Sequence, residues 1–65
     1  MTQLRALATP PDVAEYLQKP VATLAQWRYL GKGPRYTVLG RTVRYSWDDV
    51  EAWLREQYAD QSAAV

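Results

Sequence analysis

The sequence predicts a small, mainly helical α+β domain of three helices and one two-stranded hairpin. Three observations predict it: two short segments of helical apolar spacing on either side of Pro20, the run YTVLGRTVRY hinged on a glycine, and a longer periodic segment after Ser46-Trp47-Asp48-Asp49. The 65 residues make one domain. A chain of this length buries only about 60% of the surface its unfolded form exposes, so a compact core is expected and a deep catalytic pocket is not.

The first helix is announced by Thr9-Pro10-Pro11-Asp12. Threonine serves as N-cap, the prolines occupy the first turn, where a missing N–H costs nothing, and Asp12 completes a capping box. Val13, Tyr16 and Leu17 then form one apolar stripe, and Lys19-Pro20 stops the run, because the residue before proline disfavours helical dihedrals. This helix spans about residues 10–18. A second restarts at once over about 21–30, with Leu24 and Trp27 facing inward beside Val21, and ends at the breakers Gly31-Lys32-Gly33-Pro34.

Two short helices so closely joined suggest a helix-turn-helix, whose second helix is offered to the DNA major groove. At 100° per residue the face opposite Leu24 and Trp27 holds Ala22, Ala25, Gln26 and Tyr29, flanked by Thr23 and Arg28. These are the candidate base readers. Gln26 can pair with an adenine edge and an alanine methyl can touch thymine. Two alanines equally suit any exposed helix, and Tyr29 can equally pack against the hairpin that follows.

The hairpin pairs about residues 35–39 with 42–46, and a Gly40-Arg41 loop places glycine where positive φ is needed. Alternation puts Val43 and Tyr45 on one face, toward the core with Val38, and Thr42 and Arg44 on the other. Arg41 occupies the tip. The hairpin thus reads as a wing that grips phosphates or reaches into a minor groove through Arg41, Thr42 and Arg44.

A third helix over about 47–58 starts at the Ser46 cap and repeats Val50, Trp53, Leu54 and Tyr58, with Glu51 and Arg55 as an exposed i, i+4 pair. Asp48 and Asp49 in its first turn answer to the helix dipole rather than to acid–base chemistry. Residues 1–8 form an N-terminal arm, 9–58 the domain, and 59–65, which lack periodicity, a mobile tail. The expected core is Val13, Tyr16, Leu17, Leu24, Trp27, Val38, Val43, Tyr45, Val50, Trp53 and Leu54.

Charge is segregated along the chain. Between Lys19 and Ser46 lie six basic residues, Lys19, Arg28, Lys32, Arg35, Arg41 and Arg44, and no acid, so the middle carries +6 and the flanks −5 within a net +1. A solvated cationic surface is the plain alternative, but a segment without a single acid favours a face that meets a polyanion. Lys19, Lys32 and Arg35 are the expected phosphate contacts. With no Cys and no His, thiolate and imidazole metal sites and every nucleophile–imidazole pair are excluded. No catalytic residue, metal, cofactor or small-molecule substrate is expected. No apolar run approaches the roughly 18 residues of a membrane span, and MTQLRALATPP lacks a signal-peptide core, which predicts a cytoplasmic protein with no membrane partner.

Taken together, Leu7-Ala8-Thr9-Pro10-Pro11-Asp12-Val13-Ala14-Glu15-Tyr16-Leu17, Thr23-Leu24-Ala25-Gln26-Trp27-Arg28, Val43-Arg44-Tyr45 and Asp49-Val50-Glu51-Ala52-Trp53-Leu54 resemble the MerR-like winged helix-turn-helix of small phage excisionases (recombination directionality factors) and AlpA-type regulators. The resemblance covers about residues 7–56. It implies major-groove positions at Ala22, Thr23, Ala25, Gln26 and Arg28, and wing arginines at Arg41 and Arg44. Two departures stand out: Pro20 replaces the serine cap usual in relatives, and Val21, Ala22 and Ala25 replace polar or basic residues. Fewer hydrogen bonds to bases, and more reliance on phosphates and DNA shape, follow from the second.

The resemblance further implies an accessory factor of a phage or mobile-element integrase, acting on DNA in a bacterial host. Such a factor binds repeated sites near an attachment sequence as cooperative neighbouring copies, bends the DNA and favours excision without strand chemistry. A small AlpA-type transcriptional regulator is the alternative. A protein-interaction adaptor, with Trp47 and Tyr29 as anchors, is the second alternative.

Overall fold

The computed structural model describes the backbone of residues 6–64 and the side chains of residues 6–58. Residues 1–5 of the expected arm and Val65 of the expected tail lie outside the described residues. In chain order the elements are α1 (Pro10–Leu17), α2 (Val21–Leu30), β1 (Thr37–Leu39), β2 (Thr42–Arg44) and α3 (Trp47–Ala64). Three helices and a two-stranded antiparallel hairpin make a mainly helical winged helix-turn-helix.

The local chemistry that starts α1 is the capping box. The Asp12 N–H donates to Thr9 Oγ1 at 3.2 Å and the Thr9 N–H donates to Asp12 Oδ2 at 3.1 Å, satisfying two of the donors a helix start leaves free. The helix ends one residue earlier than the proline signal implies. Gln18 takes a left-handed conformation at φ 59, with its N–H on the Glu15 carbonyl at 3.2 Å and the Lys19 N–H on Ala14 at 2.9 Å. This Schellman closure, unusual on a non-glycine residue, turns the chain before Pro20 is reached.

α2 closes in the same way, with Gly31 at φ 74 and the Lys32 N–H on the Trp27 carbonyl at 2.8 Å. Its start differs from that of α1. Pro20 offers no side-chain cap, and only its carbonyl is used, by the Thr23 N–H at 3.0 Å.

The hairpin has the expected register, Thr37 opposite Arg44, Val38 opposite Val43 and Leu39 opposite Thr42. Gly40 carries φ 65 and Arg41 is not among the positive-φ residues, the combination of a II′ turn. The Thr42 hydroxyl donates to the Leu39 carbonyl at 2.8 Å and tightens that loop. One pairing has no counterpart in the sequence reading. Ala8 and Tyr45 exchange both backbone hydrogen bonds, at 2.7 and 2.8 Å, so the residue before α1 is stitched to the end of the wing.

The core consists of Ala8, Val13, Ala14, Leu24, Tyr45 and Val50, with Leu17, Trp27, Val43 and Trp47 packed against it. Each of the larger side chains contributes roughly 1.5–3 kcal/mol by burial. Ala8, assigned to the arm, belongs to this core because its backbone is held against Tyr45. Three expected core residues lie mostly outside it. Val38 is 58% exposed, since β1 is the outer strand, exposed along its length, and only Val43 opposite it on β2 packs against the core. Tyr16 and Leu54 are also exposed, flanking an apolar groove where the short α1 runs out.

α3 continues through Ala64, beyond the expected end near residue 58. Asp60-Gln61-Ser62-Ala63-Ala64 lacks an apolar stripe but also lacks glycine and proline, and alanine and glutamine favour helix, so loss of periodicity was not a stop signal.

Candidate nucleic-acid interface

The site is built on α2, and three contacts hold that helix in place. Leu24 is fully buried in the core. Trp27 lies against Trp53 of α3, ring centroids 5.2 Å apart, and the returning loop passes so close that a Cβ on Gly33 would sit 2.9 Å from Trp27 Cε3. Gly33 itself has φ 86, a region that disfavours side chains. The third contact is Arg28, whose Nη1 donates to the Tyr45 hydroxyl at 2.7 Å.

With its inner side fixed, α2 turns Ala22, Ala25, Gln26 and Tyr29 to solvent. Tyr29 is 88% exposed, so it does not pack against the hairpin. Thr23 is half-buried at the edge of this face. The outward face therefore offers two methyls, one amide and one phenol. That set can make apolar contact with thymine and paired hydrogen bonds to adenine, but it carries no cation of its own.

The exposed cations lie on the segments before and after α2 instead. Lys19 lies in the turn before α2, Lys32 and Arg35 follow it, and Arg41 stands at the wing tip; all four are exposed. Thr42 is exposed beside Arg41. Arg44 is half-buried, with Nη1 on the Val43 carbonyl at 2.7 Å, which steadies its stem along the strand. Exposed cations can neutralise phosphates without having to give up an internal partner.

Arg28 is the candidate reader that the structure places elsewhere. It is half-buried, bonded to Tyr45, and its Cζ lies 5.9 Å from the Tyr36 ring centroid and 6.0 Å from that of Tyr45. The sequence carried a faint signal for this. A tyrosine on the inward face of a strand needs a partner for its hydroxyl, and a guanidinium on the neighbouring helix supplies one. Trp47 likewise is no free anchor, being half-buried and in edge-to-face contact with Tyr16, ring centroids 5.3 Å apart.

Among the described residues no group of His, Cys, Asp or Glu could hold a metal, and no helix is long and apolar enough to cross a membrane. Helix, turn, second helix and wing, with exposed cations on the segments flanking the second helix and at the wing tip, define a small DNA-binding helix-turn-helix protein. Residues 9–58 match the helix-turn-helix domain family, and the chain belongs to it. No curated protein and no solved structure matches.

Proposed function

We propose that the protein is an excisionase, a recombination directionality factor that binds and bends DNA near an attachment site and promotes integrase-mediated excision of a phage or mobile element. The observation that carries this reading is the division of labour on the interface. The outward face of α2 has Gln26 and Tyr29, with Thr23 at its edge, to hydrogen-bond with bases, while Lys19, Lys32, Arg35 and Arg41 stand exposed on the segments that flank the helix and at the wing tip. Such a surface draws its affinity from phosphates and its selectivity from DNA shape and deformability, which suits an architectural factor better than a strict reader of sequence. The order of segments in the sequence, similar to MerR-like excisionases, points the same way.

α2 enters the major groove with Ala22, Thr23, Ala25, Gln26 and Tyr29 toward the bases, and the wing lies along the adjacent backbone or minor groove through Arg41, Thr42 and Arg44. A domain with so few contacts gains useful affinity from several copies side by side, each raising the effective concentration of the next. The acidic surfaces of α1 and α3 facing the basic segment of the neighbouring copy supply attraction between them, and integrase joins the assembly at the attachment site.

A gel-shift titration over tiled fragments around the protein's own gene tests the reading. A ladder of complexes on one fragment, with mobility that depends on where the site lies within it, is the expected result. A single complex at a promoter, with no position-dependent mobility, would replace the excisionase with an AlpA-type regulator. No shift at low salt would leave the adaptor.

A further inference from the structure

We propose that Arg28 is a positioning residue that sets the wing against the second helix, not a reader of bases. The inference rests on the DNA-binding reading of α2 and the hairpin, and deepens it. Arg28 leaves the helix only about 40° from the buried Leu24, on its inner side. Its guanidinium meets two tyrosines that bracket the wing. Tyr36 directly precedes β1 and Tyr45 directly follows β2, and their rings lie 6.3 Å apart. One Nη1 donates to Tyr45 Oη at 2.7 Å while the guanidinium carbon sits within 6.0 Å of both ring centroids.

Tyr45 is a rigid acceptor. It is 1% exposed, and both of its backbone groups are bonded to Ala8. One side chain from α2 therefore meets both legs of the hairpin at their base, by a hydrogen bond to Tyr45 and a cation placed near the Tyr36 ring, and the long, rigid fork of the guanidinium matters as much as its charge, because a lysine ammonium on its flexible stem does not hold a donor on Tyr45 Oη in one fixed direction. The consequence for binding is geometric. Arg41 lies at the far end of the hairpin, so a small tilt at the base moves it away from the phosphate it must reach while Gln26 stays in place.

The test uses the whole chain as wild type, Tyr45→Phe, Arg28→Ala, Arg28→Lys and the Arg28→Ala/Tyr45→Phe double variant. The probe is a duplex selected by the wild type from a random pool, and affinity is measured against salt at a temperature where circular dichroism shows each variant folded. Tyr45→Phe removes one hydroxyl from a side chain too buried to touch DNA. Loss of one wing phosphate contact lowers the log–log salt slope by about 0.9, or roughly eightfold in affinity at 0.1 M salt. We expect that loss in Tyr45→Phe, Arg28→Ala and Arg28→Lys alike, with unchanged base preference and no further loss in the double variant.

Wild-type binding by Tyr45→Phe, rescue by Arg28→Lys, or relaxed preference at one base pair in Arg28→Ala would each overturn the proposal. If the wild type binds no duplex, the DNA reading fails, and the strut is still measurable without DNA. Residual dipolar couplings should then show β1 and β2 reoriented relative to α2 in Tyr45→Phe, and unchanged couplings would overturn it.

Discussion

Replacing Gly33 with alanine should destabilise the domain severely, and the structure gives the reason atom by atom. The added Cβ would lie 2.9 Å from Trp27 Cε3, 3.1 Å from its Cβ and 3.3 Å from its Cδ2, at a backbone φ of +86°. Two costs combine. A side chain at positive φ costs about 1–2 kcal/mol, and an extra carbon in a filled site costs about 1–3 kcal/mol. Trp27 cannot swing clear easily, since its ring is packed against Trp53 at 5.2 Å. The sum, about 2–5 kcal/mol, compares with a total stability of about 3–10 kcal/mol for a chain of this length.

Thermal unfolding followed by circular dichroism and tryptophan fluorescence measures the effect. Each kcal/mol lowers Tm by about 4–8 °C in a domain this small, so Gly33→Ala should lose at least roughly 8 °C. Gly31→Ala is the control, because its φ of +74° carries the same backbone strain while nothing lies within 4 Å of the added Cβ. Its cost should stay near 1–2 kcal/mol. Equal melting temperatures for the two variants would refute the argument that the loop is seated on Trp27.

Arg41→Ala should weaken binding to all duplexes alike, by roughly eightfold at 0.1 M salt, and lower the salt slope by about 0.9; fluorescence anisotropy over a salt series measures both. Gln26→Ala should instead relax base preference, losing about 1–3 kcal/mol of discrimination at one A·T pair, as read by competition with single-base variants of the site. Thr9→Ala removes the hydroxyl that accepts from the Asp12 N–H at 3.2 Å, and should cost about 1 kcal/mol in urea denaturation with no change in the slope against urea.

Much of the fold was legible because its signals are local. The Thr9–Asp12 box, the Gly40 turn and the helical spacing of Leu24 and Trp27 each name an element without knowledge of the rest, and all three appear where the sequence puts them. The outward set Ala22, Ala25, Gln26 and Tyr29 was legible for the same reason, since helical geometry alone decides which residues oppose a buried leucine. What stayed hidden depends on contacts distant in the chain. Ala8 reads as part of a free arm until its backbone is seen paired with Tyr45, and Arg28, though helical geometry sets it near Leu24, has no visible partner until the same tyrosine takes one of its donors. Val38 shows the converse failure. Period-two alternation gives it the same face as Val43 but cannot tell that only the inner strand of the hairpin packs against the core.

The central claim is that α2 and the wing together form the surface that meets DNA. An NMR titration of the labelled protein with its selected duplex, followed through backbone amides and arginine side chains, tests it most directly. The account predicts that the largest shift changes fall on Ala22, Ala25, Gln26 and Tyr29 and on Arg41 and its neighbours in the wing. Changes concentrated instead on Tyr16, Leu54 and Tyr58, the apolar groove between α1 and α3, would contradict it.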